Sequence, residues 1–190
     1  MKKALYIILS ILLVYLTLGA SCEDHYIDLP VVGSVQHTFT VNENGNSYSE
    51  QDFIDFATEV AQLKAENAFD SIRAIKVESV SYTILNNNSG SGATITGQAQ
   101  CSADISPTTL QLLANMSGLD LAAVEGSEQF PDLVDAGVAQ INKAIDLETG
   151  TNVIYFKVDG TSTQSVLDFD IQVKITFTII GQIKTQVPVI

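Results

Sequence analysis

The sequence predicts a mainly β fold: an antiparallel β-sandwich-like domain with two or three helices packed on it. Three observations carry this. Leu167, Phe169, Ile171, Val173, Ile175, Phe177 and Ile179 alternate without a fault against Asp168, Asp170, Gln172, Lys174, Thr176 and Thr178, the period-2 signature of a strand with one buried face. Two further alternating runs, at 35–41 and 93–105, have polar outer faces, as antiparallel sheets covered on one side do. Hydrophobic residues make up 46% of the chain and charged ones only 16%, so a full core can form and disorder is not expected.

In chain order, Val35, His37, Phe39 and Val41 form the inward face of the first strand, and Asn42 to Asn46 a turn. Ser49 reads as a helix N-cap with Asp52 at N3, and Tyr48 and Phe53 as its hydrophobic staple. The stripe Phe53, Phe56, Ala57, Val60 and Leu63 continues that helix through residue 66. A strand follows from Ile72. Ile75 and Val77 have one parity, whereas Val80, Tyr82 and Ile84 have the other, which predicts a β-bulge near Glu78-Ser79. Asn86 to Gly92 is the strongest turn signal and reads as a hairpin loop. On the return strand, Ala93, Ile95, Gly97, Ala99, Cys101, Ala103 and Ile105 form an inward face of mostly small residues, so something bulky must approach it, a helix or a ligand.

Ser106-Pro107 is an N-cap and N1 pair that predicts a helix over 107–116, with Leu110, Leu113 and Ala114 inward. Ser117 to Gln129 reads as a loop with an apolar patch at 119–124. Pro131 opens a further helix on Val134, Val138, Ile141 and Ile145, ended by Gly150. Ile154, Phe156 and Val158 supply a strand expected to pair as a hairpin with 167–179. That register sets Phe156 against Phe169 and Lys157 against Asp168. The element order β-α-β-β-α-α-β-β also admits an alternative, an α+β split β-α-β plait with a single sheet and helices on one face.

Formal net charge is −13. Nucleic acid is excluded as a partner, because neutralising phosphates requires clustered Lys and Arg. For nucleophilic catalysis a base must reach a nucleophile, and the chain offers only His25 and His37. His37 shares a face with core residues, and Cys101 lies on an inward face where its thiolate is disfavoured. No catalytic constellation is found and no enzyme activity is expected. Cofactors are not expected either. Zinc lacks ligands, and no Asp-rich loop with glycine spacing supports calcium. Whether a weak calcium site exists near Asp168 and Asp170, with Asp159 close to their turn, is left open by the sequence.

The first 22 residues carry the one specific functional statement. Lys2 and Lys3 precede the apolar run Ala4 to Leu18, and Gly19-Ala20-Ser21 follows. This is the layout of a secretory signal, with a run shorter than the roughly 20 residues of a membrane-spanning helix. Leu18-Gly19-Ala20-Ser21-Cys22 resembles the lipobox of bacterial lipoproteins. Ala20, Ser21 and Cys22 match its pattern, and Gly19 stands where the family prefers an aliphatic residue. The resemblance covers the leader alone. It implies diacylation of Cys22, which becomes the mature N-terminus, and two acyl chains anchor stably where one is marginal.

The expected organisation is therefore a lipoprotein signal peptide at 1–21, a lipid-anchored tether at 22–32 and a single β-rich domain at 33–190. The expected location is the cell envelope, at the outer membrane, facing the periplasm or the surface. The expected role is a non-enzymatic binding, adhesion or assembly module, held to the membrane through its acyl chains and contacting an envelope protein. The alternative is a carrier of a small apolar ligand held between the 93–105 strand and the helices, and an envelope hydrolase ranks last.

Overall fold

The computed structural model describes residues 22–147 and 150–188. The expected leader, 1–21, lies outside the described residues, and so does the side chain of Cys22. Eleven elements follow one another: β1 (Cys22–Glu43), β2 (Ser47–Asp55), α1 (Ala57–Glu66), β3 (Ser71–Leu85), β4 (Thr94–Ser102), β5 (Gln111–Asp120), α2 (Leu121–Val124), β6 (Glu128–Gln129), α3 (Asp135–Ala144), β7 (Val153–Ser162) and β8 (Leu167–Pro188). They build two four-stranded antiparallel sheets, ordered β1-β8-β3-β6 and β2-β7-β4-β5. The fold is the expected β-sandwich-like domain with helices, not a single-sheet plait.

Strand β8 is the spine. Phe169, Ile171, Val173, Ile175, Phe177 and Ile179 are all buried, as their parity requires. The second sheet answers with Ile54, Ile95, Cys101, Leu113, Ile154, Phe156 and Val158, all buried. Rings bridge the two sheets: Phe39 meets Phe156 at 5.8 Å and Tyr48 meets Phe169 edge-on at 5.8 Å. Phe56, which leads into α1, meets Phe177 edge-on at 5.9 Å. The parity switch in β3 resolves as expected, with a register shift between Val77 and Ser79 that keeps Val77, Val80 and Ile84 all buried.

Neighbour relations depart from the expected hairpins. Residues 154–158 and 167–179 do not pair with each other. β7 pairs with β2 and β4, β8 pairs with β1 and β3, and the two strands face each other across the core. Phe169 therefore pairs with Val41, and Lys157 lies beside Gln51 and Gln100 rather than Asp168. The Asn86 to Gly92 segment likewise joins β3 in one sheet to β4 in the other. Matching apolar parity states which face is inward, and facing strands satisfy it as well as adjacent ones do.

The first part of one expected helix and most of another are strand. Ser49 opens no helix: 47–55 is β2, which buries Tyr48 and Ile54 and leaves Phe53 42% exposed, edge-on to Tyr155 at 5.3 Å. Tyr48 and Phe53 thus point to opposite faces and make no staple. The helix begins only at Ala57, whose N–H donates to Asp55 Oδ1 at 2.7 Å. Residues 111–120 are β5, where Leu113 and Ala114 are both buried because the register with β4 shifts between Ala99 and Gln100. Cross-strand pairing outweighs local helix signals in both places. The apolar patch at 119–124 ends β5 and forms α2, capped by Asp120 Oδ1, which accepts from Ala122 and Ala123 N–H at 3.0 and 3.2 Å. Val138 and Ile141 are helical as expected, but α3 starts at Asp135 with Val134 as an extended N-cap, and it ends at Ala144 with Ile145 as C-cap, short of Pro131 and Gly150 at its two ends.

The expected tether is also a strand. β1 pairs with β8 in unbroken register from Cys22↔Pro188 to Glu43↔Leu167. β3 joins β8 only as far as Gln182. Residues 22–27 and 183–188 therefore leave the sandwich as a two-stranded ribbon, rooted at Asp28 and Gln182.

Candidate functional site

The described residues that the sequence nominated for chemistry are scattered through the sandwich. His37 sits on β1, partly exposed, with its ring edge-on to Phe39 at 4.8 Å. Its Nε2 lies 3.2 Å from Asp52 Oδ2, a contact hidden from sequence reasoning because Asp52 read as a helix residue. The strand parity of β2, with Tyr48 and Ile54 inward, turns Glu50 and Asp52 toward the same side. β2 is an edge strand, and inward-pointing charges are one way edges resist adding another strand.

Burial, and after it the Glu43 carboxylate, hold the Glu50 carboxyl above the usual carboxylate range. An acid whose folded-state pKa is raised weakens the fold once ionised and costs nothing below its unfolded pKa. Glu50→Gln is thus expected to raise Tm at about pH 7 and leave it unchanged near pH 3, where glutamate is protonated in both states. Thermal melts of the two proteins at both pH values check this, and equal shifts at both would contradict it.

Cys101 is fully buried on β4, and its Sγ donates to the Gly137 carbonyl of α3 at 3.4 Å. Burial pushes the thiol up to about 12. It lies far from reaction chemistry at neutral pH.

Asp168 and Asp170 lie in one sheet and Asp159 in the other. Asp170 accepts from Asn86 Nδ2 at 2.6 Å, and Asp159 is 3.2 Å from Lys157 Nζ. Among the described residues, no three His, Cys, Asp or Glu side chains are placed to hold a metal ion. An open surface hollow of about 480 Å³ takes in Glu43, Lys157 and Asp159, where the acids face a lysine.

The small-residue face of β4 is filled by the protein itself. At one end Tyr48 lies over Gly160 and Gly97. A Cβ at Gly97 would stand 2.5 Å from the Asp159 carbonyl and 2.6 Å from Tyr48 Oη, and one at Gly160 would stand 2.4 Å from the Thr96 carbonyl. At the other end α3 closes over Cys101 and Ala103, with Gly137 against Leu113. Between them, beside Ala99, is an apolar cavity of about 20 Å³, against the several hundred Å³ (roughly 300 or more) of ligand pockets. A water-sized space remains there, not room for an apolar ligand.

Among the described residues no helix is long and apolar enough to cross a membrane. The Cys22 backbone opens β1 at the far end of the ribbon.

No protein-family model matches the chain, and no curated protein does either. Among solved structures it is similar to one of turnip yellow mosaic virus, at 12% identity over 84% of each chain with a TM-score of 0.39. It is also similar to one of desmodium yellow mottle tymovirus, at 11% identity over 82% of this chain and 90% of that, with a TM-score of 0.38. A decameric BFDV capsid protein aligns at 11% identity over 82% of this chain and 99% of that, with a TM-score of 0.35. At such identities and scores neither kinship nor function transfers.

Proposed function

We propose that the protein is a lipid-anchored module of the cell envelope, acylated on Cys22, with a non-enzymatic binding, adhesion or assembly role. The lipobox-like Leu18 to Cys22 segment behind a cationic and apolar leader carries this reading. The position of the Cys22 backbone supports it. That residue begins β1 at the far end of its pairing with β8, so acyl chains there would attach the protein without disturbing its core. The acidic chain, at −13, is kept from anionic lipid except through such an anchor. A partner strand could add to the β1 edge of the first sheet, since strand addition uses exposed edges, and the inward charges of β2 disfavour the edge of the second.

Cys22→Ala, expressed as the full chain, tests the anchor. The expected result is loss of acyl label from the protein, retention of the precursor mass and loss of the mature membrane-bound form on fractionation. A variant that is processed and partitions like the parent would overturn the proposal.

A further inference from the structure

Beyond the root of the ribbon, the alternation that builds the core continues, but only Ile183 of β8 still packs, half-buried, against the core. Ile27 and Leu29 have the parity of Val31, Phe39 and Val41, yet they are 50% and 39% exposed. Ile27 pairs directly with Ile183, and Leu29 with Gly181. Phe69 covers Gly181, on whose Cα a Cβ would stand 2.1 Å from the ring. Past it the same face carries Ile27 and Ile183, followed in register by His25 and Thr185. The opposite face bears the charges and largely cancels them: Lys184 Nζ is 2.8 Å from Asp24 Oδ2, and Arg73 pairs with Asp28. Asp70, at the root, accepts from the Lys184 backbone N–H at 2.6 Å. Two cations thus meet three carboxylates, a near balance in a chain that is otherwise strongly acidic.

We infer that the apolar face of the β1/β8 ribbon, Ile27, Leu29 and Ile183, lies on the bilayer surface, so that the domain is docked by a second contact beside its anchor. This rests on the proposed membrane attachment at Cys22. The occupant follows from where the chain leads. The apolar run Ala4 to Leu18 and the acylation candidate Cys22 immediately precede the ribbon. At about 3.3 Å per residue, Ile27 is within about 17 Å of Cys22. Amphipathic elements with one apolar face settle about 5–10 Å into the headgroup boundary. Pairing leaves a net of one negative charge among these five groups, so an anionic leaflet repels the ribbon less than the rest of the protein.

The chain contains no tryptophan, so one introduced indole reports alone. Full-length Ile27→Trp and Tyr26→Trp proteins, which probe opposite faces at adjacent positions, would be placed in phosphatidylethanolamine/phosphatidylglycerol vesicles containing brominated lipid. Expected is emission about twofold lower for Ile27→Trp, with a blue shift, and little quenching for Tyr26→Trp. No quenching at Ile27→Trp, or equal quenching of both, overturns the inference. Intact mass of the same samples separates the two ideas. Acylated protein with an unquenched indole defeats the ribbon contact alone. Membrane-bound protein without acyl chains defeats the Cys22 reading, while the quenching still decides the contact.

Discussion

Phe177→Ala is expected to cost about 3–5 kcal/mol, the range for deleting a fully buried ring. Phe177 is completely buried on β8, edge-on to Phe56 at 5.9 Å, and it also packs against the Gly33 backbone. It therefore ties together β8, β1 and the entry to α1. Its neighbours cannot collapse into the space easily, because Phe56 is held by a hydrogen bond from its N–H to the Asn152 carbonyl at 2.8 Å. For a domain whose total stability is on the order of 5–15 kcal/mol, this loss is a large share. Denaturant melts should show a much lower midpoint. Thr176→Ala, on the outer face of the same strand, should stay within about 0.5 kcal/mol of the parent. Equal effects for the two positions would mean that β8 is not buried on the side described.

The second large effect concerns Cys101. With its thiol held at about 12, the thiolate fraction near neutral pH is about a thousandfold below that of an ordinary cysteine, one factor of ten per pKa unit. Native protein should react with a thiol-specific reagent roughly three orders of magnitude more slowly than protein in denaturant, a difference read directly from the time course. A native rate within tenfold of the unfolded one would show that α3 does not seal β4. The same burial keeps the Cys101 thiol out of intermolecular disulfides, because a cysteine enclosed by the core cannot meet a second one.

Much of the core was legible from parity. The seven apolar positions of 167–179, the inward Cys101 and the bulge between Val77 and Ser79 all follow from a period of two and the need to keep one face apolar. The stripe of α3 follows from the helical period in the same way. The glycines of β4 announced a close approach without naming what approaches. Tyr48 does so from a strand that read as helix, since Ser49 and Asp52 imitate a capping pattern. The His37–Asp52 contact was illegible for the same reason, and the ribbon was missed because the alternation of Ile27, Leu29 and Val31 is short and sits behind a cysteine that made 22–32 read as a tether.

By itself, then, the sequence determined which side of most strands faces the core and that the fold is mainly β with helices packed on it. Only the tertiary structure decided which strands are neighbours, that β7 and β8 face each other, that 47–55 and 111–120 extend, and that the chain after Cys22 is a paired ribbon. The physical reason is one of range. Side-chain alternation is a local property that each strand carries alone, whereas pairing is a competition among distant strands with equally apolar faces. That competition is settled by which rings interlock in the shared core and by which backbone edges remain to be hydrogen-bonded.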